Sequence, residues 1–178
     1  MPSPNVTTPS AARATKNRAV GGKGITQLPR NQRARQLVLL PQESGNGYYP
    51  YAFADRQYGT QNTIAALLDV GRQLSLGKPG FEFGIGDISY ANGGPMLPHK
   101  THQKGTDVDI RPIRKGGARQ AVSIHDTKNY SREMTRILVE ELLAHSNVRY
   151  ILFNDKKIPG VNTKVAGHHN HLHVVFRS

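Results

Sequence analysis

The order of apolar and polar residues predicts two helices. In TQNTIAALLDVGRQLSLGKPG (60–80) and in SREMTRILVEELLAHS (131–146), apolar side chains recur every three or four residues and therefore fall on one face of a helix. Thr60 or Thr63 and Ser131 can cap the N-termini of these helices, and a glycine and a proline close the first segment.

Short runs of β-branched and aromatic residues predict the strands. They are FEFGIGDI (81–88), DVDIRPI (107–113), VRYILF (148–153) and HLHVVF (171–176). Two helices interleaved with four short strands predict an α+β fold, with a small central antiparallel sheet of about four strands, flanking helices and long loops. The sequence has no internal repeat, phosphate-binding loop or dinucleotide fingerprint.

The first 44 residues differ from the rest of the chain in composition. They are rich in small and polar residues and carry almost no apolar residue before RQLVLLP, so they cannot bury enough surface to offset the entropy of ordering. We therefore expect a flexible arm over 1–44 and one folded domain over 45–178. The net charge of the chain is +12, and every charged residue before Glu43 is basic: Arg13, Lys16, Arg18, Lys23, Arg30, Arg33 and Arg35. Such a segment is attracted to polyanions such as an anionic wall or membrane surface, although a solvated tail explains it equally well.

Composition also narrows the chemistry and the setting. The chain has no cysteine, so a bound metal would have to be held by imidazole and carboxylate groups. No apolar run approaches the roughly 20 residues that span a bilayer. The N-terminal MPSPNVTTPS lacks the features of a secretory signal, so we expect a protein that is made in the cytoplasm and leaves it, if at all, by another route.

Four of the eight histidines fall within GHHNHLHVVF (167–176). Residues two apart in a strand point to the same face, so His171 and His173 project together and could bind a divalent metal such as zinc. The simpler alternative is that one is a buried, hydrogen-bonded histidine and the other lies at the surface.

A second group of candidate ligands lies in LPHKTHQKGTDVDIRP (97–112). His102 precedes a turn at Gly105, and Asp107 and Asp109 alternate with apolar residues, so both carboxylates share one strand face. One imidazole and one carboxylate from this segment, with one imidazole of HLH, would make three protein ligands and leave a fourth position for water. That arrangement is typical of catalytic zinc sites. For the aspartates, a solvated edge-strand face is the alternative.

Taken together, IGDISYANGGPMLPHKTHQKGTDVDI (85–110) and HHNHLHV (168–174) resemble the penicillin-insensitive murein endopeptidases. These are zinc peptidases related to the D-Ala-D-Ala carboxypeptidases and dipeptidases. Their signature is a histidine, six intervening residues and an aspartate, followed by a distal HxH. Here His102 and Asp109 have that spacing, and His171-Leu172-His173 is the distal element.

The resemblance implies the roles of individual residues. By position, His102, Asp109 and His173 would bind one zinc ion per chain. His171 and His168 would be the catalytic histidines, with His171 acting either as the proton acceptor or as the group that stabilises the oxyanion.

The remaining polar residues of the motifs would support this site. The resemblance implies that His99, Asp107 and Asp87 bind substrate or orient water and the metal-binding histidines. A turn-capping role for Asp87 is equally compatible with the sequence. Three histidines have no counterpart and are expected at the surface: His125, His145 and His169.

The resemblance implies a zinc-dependent peptidoglycan endopeptidase that cuts the D-Ala–diaminopimelate cross-links of murein. The same metal site would also serve a D-Ala-D-Ala carboxypeptidase or an L-Ala–D-Glu endopeptidase. The chain lacks the cysteine-containing extensions of the periplasmic relatives, which favours a bacteriophage lysis enzyme acting on the cell wall after release. A delivered antibacterial toxin is the main competing setting.

Two hypotheses of other classes follow from the charge and from the motif. The high net charge suggests a nucleic-acid-binding protein, but no recognition helix or aromatic RNA-binding motif supports that reading. A degenerate relative could keep zinc only as a structural element. Retention of His171 and His168 beside the three ligands argues against it, because a structural site has no use for them. No obligate protein partner is expected.

Overall fold

The computed structural model describes residues 36–178. This part of the chain forms two helices, α1 (Gln61–Gly77) and α2 (Arg132–Ala144), and neither is long and apolar enough to cross a membrane. It also contains two short 3-10 turns and the strands β1 (Val38–Leu39), β2 (Tyr48–Pro50), β3 (Tyr58–Gly59), β4 (Phe83–Ile85), β5 (Asp107–Ile110), β6 (Val148–Leu152) and β7 (Leu172–Phe176).

Five of the strands form the main sheet in the order β2-β4-β5-β7-β6, and β1 pairs with β3 in a separate two-stranded sheet. Strand β2 is parallel to β4, and the other pairs of the main sheet are antiparallel. The α+β class is therefore as predicted, whereas the purely antiparallel sheet of about four strands is wrong. The additional strand, Tyr48–Pro50, is only three residues long and ends in proline, which is tolerated because the strand lies at the sheet edge.

Both helices begin at predicted capping residues. The Thr60 hydroxyl accepts a hydrogen bond from the backbone N–H of Thr63, and the Ser131 hydroxyl accepts one from that of Met134. These bonds satisfy N–H groups that have no partner within the helix.

The core lies between the helices and one face of the main sheet. Apolar residues such as Leu67 and Leu138 from the helices, and Val108 and Val174 from the sheet, are completely buried and belong to one cluster. Since side chains alternate along a strand, the opposite face of the same strands is free to carry polar residues. That opposite face holds the candidate site.

The boundary at residue 44 is corrected by the structure. Val38–Leu39 pairs with Tyr58–Gly59, and Leu40 is fully buried in the core. The apolar segment QLVLLP (36–41) therefore belongs to the folded domain, because it pairs with another strand and buries Leu40 in the core. The part of the predicted arm over 1–35 lies outside the described residues and stays a prediction.

We expect Leu40→Ala to lower the free energy of unfolding by about 2–5 kcal/mol, because it removes a buried side chain and leaves a cavity. Leu39→Ala is the matched control: its side chain is 38% exposed, so the loss should be less than about 1 kcal/mol. Urea unfolding of both variants measures the difference. Equal, small losses would show that this segment does not belong to the core.

Candidate metal centre

The pairing of β5 with β7 builds the centre of the site. Asp109 lies directly opposite His173 in this antiparallel register, and Asp107 lies on the same face of β5, two residues earlier. Val108 and Val174, the intervening pair, point into the core. The polar residues of both strands therefore share the face of the sheet that is turned away from the helices.

Three atoms meet on this face: His102 Nε2, Asp109 Oδ1 and His173 Nδ1. His102 Nε2 lies 3.2 Å from Asp109 Oδ1 and 3.2 Å from His173 Nδ1, and the last two atoms are 3.1 Å apart. Ligands of a tetrahedral zinc ion, bonded at 2.0–2.1 Å, stand about 3.3 Å from one another. The triangle therefore has the dimensions of one face of such a site.

The second nitrogen of each of these histidines is bound to an acceptor. His102 Nδ1 donates to the backbone carbonyl of Ile88 at 3.1 Å, and His173 Nε2 lies 3.2 Å from Asp107 Oδ1. With a metal ion bound, those second nitrogens would keep their protons, and His102 Nε2 and His173 Nδ1 would give up theirs and direct their lone pairs at the ion beside the Asp109 carboxylate. A set of two imidazoles and one carboxylate with this orientation fits a zinc ion.

The electrostatics of the cluster favour a positive charge at the same place. Burial on its own raises the pKa of Asp109, but hydrogen bonds from His102 and His173 outweigh it and hold that pKa below its usual range. Burial lowers the pKa of His173, but its hydrogen bonds to Asp107 and Asp109 outweigh burial and raise the pKa to about 9. The two carboxylates thus draw a cation to His173, and a metal ion would compete with the proton there.

His99 belongs to a chain of hydrogen bonds beside the triangle. His99, His102 and Asp109 also place their ligand atoms within 4.8 Å of one another, so they form a second possible metal-binding group. However, His99 Nδ1 stands 3.7 Å from Asp109 Oδ2, while its Nε2 is held at 2.8 Å by Asp87 Oδ2. The triangle with His173 is the tighter of the two groups, because its distances are shorter and its three atoms converge.

Asp87 is fixed in turn by Arg56. The guanidinium of Arg56 donates two hydrogen bonds to the Asp87 carboxylate, at 2.8 Å and 2.6 Å. Burial raises the pKa of Asp87, but Arg56 and His99 outweigh it and hold the pKa below its usual range. Asp87 therefore stays ionised and orients His99.

His171 presents an acceptor nitrogen to the triangle. Its Nδ1 donates to Asn170 Oδ1 at 2.9 Å, which leaves the lone pair on Nε2, 3.9 Å from Asp109 Oδ1. Burial lowers the pKa of His171 more than the Asp109 carboxylate raises it, so this imidazole is neutral at neutral pH.

His168 lies beside His171 and is positioned by Asn154. The rings of the two histidines have centroids 5.0 Å apart. Asn154 accepts a hydrogen bond from the backbone N–H of His168 at 2.8 Å, and its amide donates to the carbonyls of Thr163 and Val165. This one side chain, two residues past the end of β6, therefore shapes the loop that carries His168.

These histidines line a cavity of about 290 Å³. Its wall also includes Leu152 and Val165, which give it apolar surface. A larger cleft of about 520 Å³ lies between Thr60, Asn92 and Gln103, but none of the clustered histidines or aspartates reaches it. The candidate site residues therefore lie at the smaller cavity.

All eight candidate site residues meet in one place. Asp107 contacts His173, as expected of a carboxylate that orients one of the proposed ligands. Asp87 contacts His99 instead, and the partner of His102 is the backbone carbonyl of Ile88. The three histidines without counterparts lie outside the cluster. His125 and His169 are exposed, and His145, at the end of α2, is half-buried.

Sequence reasoning missed three residues that hold the site: Arg56, Asn154 and Thr101. The Thr101 hydroxyl lies 3.4 Å from His173 Nε2. No local pattern marks Arg56 or Asn154. For Thr101 the only indication in the sequence is that it directly precedes His102 in the motif.

An α+β domain with two imidazoles and one carboxylate converging in a cavity is typical of metallopeptidases. The chain matches the penicillin-insensitive murein endopeptidase family over residues 37–158 and belongs to that family. No match was found among curated proteins. The family match includes His102 and Asp109 but ends before β7. The pairing of β7 with β5 in the sheet brings the distal histidines to these two residues. Membership makes the protein a peptidase of peptidoglycan.

We expect Asp107→Ala to weaken zinc binding about 10–100-fold, because His173 loses the carboxylate that orients it. His169→Ala, which changes an exposed histidine outside the triangle, should leave the zinc affinity as it is. Competition against a zinc-binding dye measures both. An unchanged affinity in Asp107→Ala would show that Asp107 does not orient a metal ligand.

Proposed function

We propose that the protein is a zinc-dependent peptidoglycan endopeptidase that hydrolyses the D-Ala–diaminopimelate cross-links of murein. The observation that carries the proposal is the triangle of His102 Nε2, Asp109 Oδ1 and His173 Nδ1 in a chain of the murein endopeptidase family. The substrate is the cross-linked stem peptide of the bacterial wall.

In this proposal His102, Asp109 and His173 hold the ion. When bound, zinc supplies a Lewis acid that activates water and polarises the scissile carbonyl. The backbone carbonyl of Ile88 and the Asp107 carboxylate keep the two imidazoles in the orientation that this binding requires.

His171 is the proton acceptor in the proposal. Its Nδ1–H is committed to Asn170, so Nε2 faces the triangle with a free lone pair and can take a proton from the attacking water. The same nitrogen, once protonated, can give that proton to the leaving amine. His168 lies against the rings of His171 and His173, where it can hydrogen-bond to the substrate or to the oxygen that becomes negative.

The first test is mass spectrometry of purified cross-linked muropeptide dimers incubated with the zinc-loaded protein, with and without a chelator. We expect dimers to become monomers only when zinc is retained, with product masses that identify the D-Ala–diaminopimelate bond. Products of D-Ala-D-Ala or L-Ala–D-Glu cleavage would show that the enzyme cuts one of these bonds and not the proposed one. No cleavage of any of these by zinc-loaded protein would contradict the proposal.

The roles of the histidines are separated by substitution. We expect His102→Ala, Asp109→Ala and His173→Ala to lose both zinc and activity. We expect His171→Ala to retain zinc but to lose about 10²–10⁴-fold in kcat, because it removes only a proton acceptor. Metal analysis and dimer turnover are measured on the same preparations. An active His171→Ala variant with normal zinc would remove this residue from the mechanism.

We propose further that the basic residues of 1–35 attach the enzyme to the anionic wall or membrane surface, where it acts after release or delivery. Deleting 1–35 removes seven positive charges and leaves β1 in place. Cleavage of soluble dimers should persist, while action on intact walls should weaken, most at low salt where charge attraction is strongest. Equal activity on intact walls would show that the segment plays no part.

A further inference from the structure

Two glycines on β4 and its continuation leave room for tyrosines beside the metal centre. The register of β2 on β4 pairs Tyr49 with Gly84 and, continued by one residue, sets Tyr51 beside Gly86. A side chain on Gly86 would begin 2.3 Å from the Tyr51 hydroxyl, so this tyrosine lies directly over the glycine. The N–H of Gly86 donates to the carbonyl of Asp109, which places Tyr51 on the β4 side of the triangle.

Arg111 is fixed on this tyrosine. Its guanidinium carbon lies 3.9 Å from the centre of the Tyr51 ring, the distance of a cation–π contact. One of its N–H groups, on Nη1, donates to the backbone carbonyl of Arg119 at 2.9 Å, and the Tyr49 hydroxyl donates to the same carbonyl at 2.7 Å. The side chain is therefore held in one orientation before any ligand binds.

The positive charge of Arg111 has no carboxylate partner among residues 36–178. Other arginines of the same region do form such pairs: Arg56, Arg72, Arg119, Arg132 and Arg136. Arg111 follows Asp109 by two residues and lies one position past the end of β5, where its N–H still donates to the carbonyl of Gly84 on β4. The two side chains therefore leave the same face about 7 Å apart. An oriented guanidinium beside the metal centre, with most of its N–H donors free, is suited to binding a carboxylate.

We propose that Arg111 is a carboxylate-binding residue that selects the substrate, and that it binds the carboxylate on the carbon attached to the scissile nitrogen. This inference rests on the proposed function. In a D-Ala–diaminopimelate cross-link, the leaving amine belongs to a carbon that also carries a free carboxylate. The proposal requires that, with the scissile carbonyl at the triangle, this carboxylate lies on the side of Arg111.

The test compares two muropeptide dimers, one with this carboxylate free and one with it converted to a carboxamide. We expect the wild-type protein to prefer the free carboxylate about 10–100-fold in kcat/KM, the range of a charge-assisted hydrogen bond. Arg111→Gln should bring the ratio close to one, mainly through a higher KM for the free carboxylate, with zinc content unchanged. Arg111→Lys should retain part of the preference, because it keeps the charge and loses the fork of two N–H groups.

Arg114→Gln is the matched control. Arg114 also donates to a loop carbonyl, that of Ala121, but it does not contact Tyr51. Its variant should keep the wild-type ratio. A wild-type ratio near one, or an undiminished ratio in both Arg111 variants, would overturn the proposal. If Arg111→Gln is less folded by thermal unfolding, Arg111→Lys decides.

A binding measurement separates this inference from the proposed function. Calorimetry with zinc-loaded protein and the uncross-linked tetrapeptide monomer, carboxylate against carboxamide, requires no turnover. Lack of cleavage of both dimers would overturn the D-Ala–diaminopimelate assignment alone. If the Arg111→Gln variant binds the carboxylate and the carboxamide equally while the wild type prefers the carboxylate, the subsite is still supported. Equal affinities of the wild type for the two ligands would overturn it.

Discussion

The antiparallel register of β5 on β7 sets Asp109 opposite His173, and the site depends on this alignment. Because side chains alternate along a strand, a shift of one residue on either strand would turn Asp109 or His173 into the core and bring an apolar residue to the site face. The apolar neighbours of these two residues, Val108 and Val174, prevent such a shift because they are buried in the core. The hydrophobic core thereby fixes the position of the polar cluster.

Three of the clustered histidines are each oriented by a group of their own. The Ile88 carbonyl holds His102, Asp107 holds His173, and the pair Arg56–Asp87 holds His99. Most of these holding atoms belong to backbone or to short acidic side chains close to the sheet. The geometry is therefore set by the fold, and a cation would find its ligands already oriented.

The parts of the site that sequence could predict are those set by local periodicity. Asp107 and Asp109 share a face because they are two residues apart in β5, and His171 and His173 do so because His171 directly precedes β7, which holds His173. Contacts across the fold leave no such pattern. Arg56 meets Asp87 at a separation of 31 residues, and Asn154 meets His168 at 14, so neither partner could be identified.

The fold shows the same division between local and distant information. The two helices and their caps follow from apolar spacing and from Thr60 and Ser131. Strand β2 was missed because it is short and ends in a proline, and its parallel partner β4 comes only after α1. The burial of Leu40 depends on a surface that other segments supply, although the run RQLVLLP was the apolar signal that could have moved the boundary.

Asp109 and His173 are separated by 64 positions along the chain. An ion shared between them, as proposed, would close a loop of that length, and cross-links over long loops remove much of the entropy of an unfolded chain. The protein has no cysteine with which to form a disulfide. The proposed cation would thus be the only cross-link of this kind among the described residues. The ion required for hydrolysis would then also stabilise the folded protein against unfolding.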